Sequence, residues 1–319
     1  MPCGTLRKQT FMKQKTFDEV MKERFGGKVY RLALTTGCSC PGRDRGTPCI
    51  FCSAEGSGDF AAPASLSVSG QIEFAKKLVA GKLSGNFAGY MAYFQSFTNT
   101  YGPVEKLRKI FMETANHPEI LAVSIATRPD CLPEEMVEML SEVNAVKPLT
   151  VELGLQTANE KTAEFLQRGY KNEVFEDAVR RLREKGIEVV VHLIVGLPGE
   201  TKENCLDTAR YLAELSGTAP GEKSLQTMAR TGCLVDGVKI QVLQVLSGTK
   251  LAELAAEDPG LVPEISLEEY TKTVKEMLAV LPSDMVVHRL TGDPPKRLLI
   301  SPLWTADKKK VLNYMKKEL

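Results

Sequence analysis

KVYRLALTTGCSCPGRDRGTPCIFCS, residues 28–53, joins an alternating run of apolar side chains to a loop that carries four cysteines. The alternation in KVYRLALTT predicts a β-strand. In the loop, Pro41, Gly42, Gly46 and Pro48 bend the chain back, which keeps Cys38, Cys40, Cys49 and Cys52 near the strand's carboxyl end. Further on, SGQIEFAKKLVAG sets Ile72, Ala75, Leu78 and Val79 at helical spacing. The opening unit is a strand, a long loop and a helix.

Variants of that unit recur along the chain. AGYMAYFQ, EILAVSIAT, PLTVELGLQ, IEVVVHLIVG and GVKIQVLQV are short runs rich in valine, isoleucine and aromatics, the pattern of strands buried on both faces of a parallel sheet. Between them, PVEKLRKIFMETA and PEEMVEMLSEV place proline near a helix's first turn, where its missing N–H costs little. Asn172 is expected to cap NEVFEDAVRRLREKG and Gly186 to end it, while Thr201 should cap KENCLDTARYLAEL. Six alternations predict an α/β fold whose parallel sheet, with right-handed crossovers, curls into most of a barrel. Reactive groups then belong at the carboxyl ends of the strands. The expected division is an N-terminal extension (1–27), the barrel (28–250) with its cysteine loop (37–60), and an α-rich C-terminal extension (251–319).

Composition narrows the function classes. With 41 basic and 40 acidic residues in 319, no chain-wide field recruits nucleic acid. The tail is an exception: residues 289–319 hold eight lysines and arginines against Asp293, Asp307 and Glu318. That is either a solvated helix face or an RNA-phosphate contact. No apolar run is long enough to span a bilayer, and the start MPCGTLRKQTFMKQK shows no signal-peptide core, so a cytoplasmic protein with no membrane partner is expected. In a reducing compartment, clustered cysteines point to metal or redox chemistry.

Spacing alone leaves the metal open. Cys-x-Cys-x8-Cys-x2-Cys can close around zinc with four ligands. Equally, Cys40, Cys49 and Cys52 can hold an iron–sulfur cluster with one iron left open, Cys38 packing into the wall instead.

FGGKVYRLALTTGCSCPGRDRGTPCIFCSAEGSGDF, YFQSFTNTYGPVEKL, SIATRPDCLPEEMVEML, VELGLQT, RGY, HLIVGLPGET and VKIQVLQVLSGTKL together resemble the YhcC/YtqA-type family of radical S-adenosylmethionine (SAM) enzymes. More distantly the chain is similar to the catalytic subunit of Elongator and to oxygen-independent coproporphyrinogen oxidases. The resemblance implies a partial six-stranded (βα) barrel and a [4Fe-4S] cluster on Cys40, Cys49 and Cys52. It also implies SAM as cofactor, cleaved at the open iron to a 5'-deoxyadenosyl radical, and an electron donor such as flavodoxin or ferredoxin.

For SAM, the candidates are Gln95 and Ser96 at the second strand's end, Arg128 at the third, Glu152 and Gln156 on the fourth, Arg168, the GLPGE turn (Gly196, Pro198, Gly199), and Gln241 on the sixth. Arg168 matches an arginine that pairs with the SAM carboxylate in the porphyrinogen-oxidase relatives. Glu152 lies inside an apolar strand and requires a ligand or a basic neighbour. Arg128 and Asp130 bind SAM or substrate, or pair with each other. His192 reads as a satisfied core histidine.

The resemblance also suggests tRNA as substrate, with a wobble-uridine carboxymethylaminomethyl group processed toward aminomethyl. Arg43, Arg45, Trp304, Tyr314 and the basic tail are the candidate RNA contacts. Alternatives are a small-molecule or peptide substrate, or a non-enzymatic zinc scaffold. Three departures from the family pattern bear on this: Gln241 and Gln244 replace histidines, and Tyr170 makes RGY of the usual RGH. The link 216–237, with Cys233, is a lid or an inert insertion.

Overall fold

A computed structural model describes residues 13–54, 56, 61–83, 85–217 and 234–319. Cys3, Cys233 and most of the 216–237 link lie outside the described residues. The strands are β1 (Lys28–Leu34), β2 (Phe87–Phe94), β3 (Ile120–Thr127), β4 (Leu149–Gln156), β5 (Glu188–Val195), β6 (Gly237–Val242), β7 (Val245–Leu246), β8 (Val286–Arg289) and β9 (Leu299–Ser301). The α-helices are α1 (Phe17–Phe25), α2 (Pro41–Asp44), α3 (Val68–Val79), α4 (Val104–Asn116), α5 (Glu134–Val146), α6 (Glu160–Phe165), α7 (Asn172–Glu184), α8 (Lys202–Gly217), α9 (Lys250–Glu257), α10 (Leu267–Val280) and α11 (Lys308–Glu318).

Strands β1 to β6 pair in sequence order, all parallel, into the curled half-barrel that the alternating pattern predicts. A seventh strand, β8, then adds to β6, also parallel. Its four residues, VVHR, are too short and mixed to announce a strand. β7 and β9 form a separate antiparallel pair.

Alternation along each strand sends one set of side chains outward and the other into the barrel. The outward set, including Leu32, Phe94, Ile125, Leu153, Val191 and Ile240, is fully buried against Ile72, Leu107, Phe111, Leu140, Val179 and Ala209 of the surrounding helices. Each such side chain contributes about 1.5–3 kcal/mol by leaving water. Phe94 and Phe111 meet edge to face, 5.0 Å between ring centres.

Helix α1 closes the barrel's amino-terminal end. Thr16 and Glu19 form a reciprocal capping box at its start, and Gly26, at φ 75°, ends it in the left-handed conformation. Its buried Phe17 and Met21 pack on Val29, Met91 and Ala122, an apolar floor beneath the lumen. Gln14 secures the approach, donating to the carbonyls of Leu278 (2.7 Å) and Leu281 (3.0 Å).

One cap differs in position from expectation. Lys171, not Asn172, precedes α7, because the Asn172 side chain is occupied by Arg168 and the Ala158 carbonyl. Thr201 does precede α8, and both its backbone N–H and its hydroxyl donate to Asn204 Oδ1. Gly186 follows α7 at φ 70°, as expected. Among the described residues no helix is long and apolar enough to cross a membrane.

Candidate active site

The carboxyl ends of the strands carry the unusual backbone. Ser96 (φ 65°) and Phe97 (φ 53°) follow β2, and Gln156 (φ 62°) ends β4. Left-handed conformations at residues with a β-carbon cost free energy, and they gather here, where a ligand has to be approached closely.

The cysteine loop lies over this face. Cys40 precedes the short α2, and Cys52 N–H bonds the Cys49 carbonyl at 3.0 Å, closing a turn through Ile50 and Phe51. Ile50 anchors the loop: it is buried, its N–H bonds the Leu166 carbonyl at 3.1 Å, and its own carbonyl accepts from Leu251 at 2.8 Å. Arg43 donates to the Ser53 carbonyl and lies 4.8 Å from the centre of the Phe97 ring. All four loop thiols are free and partly exposed.

Cys38 takes a different direction. Its sulfur lies 3.1 Å from where a β-carbon on Gly102 would be, and it packs against the main core. Burial, with Cys52 and Cys40 as like-charged neighbours, pushes the Cys49 thiol up to about 12, and burial raises Cys52 as well. Cys49 and Cys52, two thiols that resist ionising on a loop shared with Cys40, belong to a donor set that a cation would complete. Among the described residues no three His, Cys, Asp or Glu side chains are arranged to hold a metal ion. A four-iron cluster asks for less convergence than zinc, because each thiolate binds a different corner of a bulky body. The residues present fit a cluster on three sulfurs better than a closed four-sulfur zinc site.

Beside Cys49, Tyr170 stands between two arginines. The Arg128 and Arg168 guanidinium carbons are 4.9 Å and 4.8 Å from its ring centre, and its hydroxyl donates to the Gly154 carbonyl. Arg128 makes a two-pronged pair with Asp130, both bonds 2.8 Å. Arg168, 2% exposed, donates to the carbonyls of Tyr170, Leu155 and Thr157 and to Asn172 Oδ1. It is no surface residue; it pins the loop after α6, with one of its five N–H groups to spare. The side-chain oxygen of Gln156 is buried here with no protein partner.

Beside Cys52 the barrel lumen opens into a cavity of about 130 Å³, lined from the loop by Phe51, Cys52 and Ser53 and from the strands by Tyr93, Gln95, His192 and Gln241. Gln244, Arg289 and Asp293 complete its polar wall, and Ile194, Leu243, Leu246 and Pro295 its apolar one. Arg289 donates to Gln241 Oε1 at 2.6 Å, while Asp293 is paired with Lys308 outside.

Beneath the cavity lies a buried ionic network. Glu152 accepts from Ser124 (2.7 Å), from His192 (2.7 Å) and from Lys239, and Lys239 also reaches the Tyr93 hydroxyl at 3.3 Å. The expectation for Glu152 resolves to its second branch: the partner is a basic neighbour, and the carboxylate lies below the cavity rather than on its wall. Lys239 with His192 holds Glu152 well below the usual carboxylate range despite its burial. Burial pushes Lys239 down to about 7 and His192 down to about 4. Lys239, Tyr93, Arg31 and Arg289 are lumen residues that the sequence reading misses. The lysine in GVKIQV carries the same signal as the glutamate in VELGLQT, a charge inside an apolar strand.

Other expected residues fall elsewhere. Gly196, at φ 84°, lines a separate groove of about 320 Å³ with Glu200, Thr201, Ile265 and Lys272, between the end of β5, α8 and α10. Pro198 and Gly199 follow in the same turn, Gly199 with open space around it. Trp304 is not free to stack on a base: its N–H donates to the Ile265 carbonyl at 2.8 Å and its ring packs on Tyr270.

Residues 34–212 match the Radical SAM superfamily, and residues 235–319 match the Radical SAM C-terminal domain. The chain belongs to the radical SAM superfamily. This radical SAM enzyme is 38% identical over 308 residues to YtqA of Bacillus subtilis (strain 168), covering 95% of this chain and 88% of that one. It is 27% identical over 197 residues to a tRNA uridine(34) acetyltransferase of Methanocaldococcus jannaschii, 62% of this chain but 32% of the relative. Among solved structures it superposes on the archaeal Methanocaldococcus infernus Elp3 lacking its N-terminus, with a TM-score of 0.61 and 18% identity, over 91% of this chain and 63% of that one. That likeness speaks for the fold. Radical SAM membership implies SAM and a [4Fe-4S] cluster, and it corrects the alternative of a non-enzymatic zinc scaffold, as does the inward-packed Cys38.

Proposed function

We propose that this radical SAM enzyme modifies the side chain of the tRNA wobble uridine, converting a carboxymethylaminomethyl group toward aminomethyl. The observation that carries the reading is the cavity shared by Cys52 of the cysteine loop and the polar mouth of the lumen, which lets a cofactor and a small polar group meet out of bulk water. The tRNA assignment draws support from the relative that acts on tRNA uridine 34, and from Lys309, Lys310 and Lys316, exposed along α11.

In this reading Cys40, Cys49 and Cys52 hold the cluster. When bound, the cluster would supply the single electron needed to cleave SAM and so the means of taking a hydrogen atom from the substrate. The chain's own groups bind and orient. Gln95, Ser96, Arg128, Gln156 and the spare N–H of Arg168 surround the cysteine loop and would hold the methionine part of SAM. The turn at Gly196 faces its own groove between β5, α8 and α10, apart from this arrangement. Gln241 stands at the junction with the substrate, and Ile194, Leu243 and Leu246 exclude water and stray hydrogen donors.

Two measurements test this. Anaerobic incubation with SAM and a reductant should yield 5'-deoxyadenosine. Cells lacking the gene should accumulate the carboxymethylaminomethyl nucleoside at the wobble position; unchanged nucleosides would remove the tRNA reading and leave the radical chemistry standing.

A further inference from the structure

The lumen is short of negative charge. Arg31, Lys239 and Arg289 project into it, and the one carboxylate in their midst, Glu152, is taken up by Lys239 and His192. Arg31 has an imidazole nitrogen of His288 at 3.3 Å and the Phe17 ring at 3.7 Å. Arg289 has an amide oxygen, that of Gln241. Neither arginine forms an ion pair or hydrogen bond with an acid among the described residues, although Glu152 is near enough to Arg31 to favour its charge, and the Nε of each is buried without an acceptor. Guanidinium groups do not shed their proton, so both charges stay. A half-buried cation without a close counter-ion is costly, and an anion from outside would relieve the shortage.

Position decides which arginine meets it. Arg31 lies deep, against the floor. Arg289 lines the cavity, and so does Gln244, whose side-chain nitrogen is likewise buried without a partner. The two glutamines crowd one spot: a β-carbon on Gly292 would lie 2.8 Å from Gln244 Nε2 and 3.4 Å from Gln241 Oε1. Two residues, each with a donor that lacks an acceptor, thus line one small cavity beside Cys52. The acid on that wall, Asp293, is drawn outward by Lys308.

We infer that this cavity is a carboxylate-binding site, anchored on Arg289 and assisted by Gln244, that seats an acidic group of the substrate. A carboxylate offers two acceptor oxygens and a full negative charge, which answer both donors and the charge deficit together. The inference deepens the wobble-uridine reading and rests on it in naming the carboxymethylamino group as the bearer. The pocket itself rests on Arg289 and Gln244.

The test uses the anaerobically reconstituted, SAM-loaded protein and two small probes, N-acetylglycine and its uncharged amide, N-acetylglycinamide. The acid should bind about tenfold or more tighter than the amide, the size of one charge-assisted contact. It should also raise the melting temperature where the amide does not. Arg289→Gln should erase the preference. Gln244→Leu, which keeps the charge, should weaken the acid severalfold, as should Arg289→Lys; these two carry the test if Arg289→Gln fails to fold. Equal affinity of the wild type for both probes would overturn the site. So would a loss of SAM affinity in Arg289→Gln matching its loss of the acid, since the carboxylate seated there would then be SAM's own. An anticodon stem-loop bearing 5-carboxymethylaminomethyluridine separates the two readings. If the acid probe is preferred but this RNA binds no better than its aminomethyl counterpart, the carboxylate site stands and the wobble-uridine reading falls.

Discussion

The carboxylate of Glu152 and the ammonium of Lys239 meet inside the barrel from strands that are not neighbours, β4 and β6, with His192 of the intervening β5 on the same carboxylate oxygen. The contact reaches over β5 on the barrel's inner face, which ties three consecutive strands to one buried ionic cluster. Removing one partner strands the other. Glu152→Gln and Lys239→Met should each destabilise the protein by about 3–5 kcal/mol, and the double variant by less than the sum. Urea unfolding of the three measures this; single variants within about 1 kcal/mol of wild type would contradict it.

Acid should loosen the same network. His192 is pushed from 6.5 to about 4, so between those values the unfolded chain takes up a proton that the folded chain refuses. Stability is then fully present above pH 6.5 and is lost as the pH falls toward 4, by on the order of 1–3 kcal/mol. Glu152, held below 4.5, extends the loss further down, while Lys239, pushed from 10.5 to about 7, acts in the same direction only above neutrality. Melting temperatures across this range should decline in the wild type and less steeply in His192→Gln.

The cysteines should divide three to one. Cys40→Ser, Cys49→Ser and Cys52→Ser should each abolish stoichiometric iron on reconstitution, whereas Cys38→Ala should retain iron and its brown colour. The alanine leaves a small void beside Gly102 and the core, so a cost of about 1 kcal/mol in stability is expected. Loss of iron in Cys38→Ala would count against the three-sulfur site.

Charge reversal on α11 addresses the RNA contact. Replacing Lys309, Lys310 and Lys316 with glutamate should weaken tRNA binding and flatten its salt dependence, by about one unit of slope for each phosphate that is no longer neutralised. Equal affinity and an equal slope in filter binding would make this helix an ordinary solvated face.

The parallel barrel was legible because valine-rich runs and helical stripes alternate six times, and the cysteine loop because proline and glycine mark its bends. β8 was not, since four mixed residues carry no period and gain their place by pairing with β6. Glu152 announced itself as a charge in an apolar strand, but its partner sits 87 residues later, and sequence carries no record of which inward side chains meet over the strand between them. Arg168 read as a ligand-binding arginine; burial against three carbonyls is a tertiary fact that local pattern does not encode. Tyr170 in RGY makes physical sense only once Arg128 and Arg168 are seen on either side of its ring.

Because β8 delivers Arg289 to the chamber, the C-terminal segment is no detachable handle. A chimera that took residues 281–319 from a cousin would inherit that cousin's choice of cargo along with its tail, and a truncation before them would leave β6 with a bare edge, inviting its copies to clump.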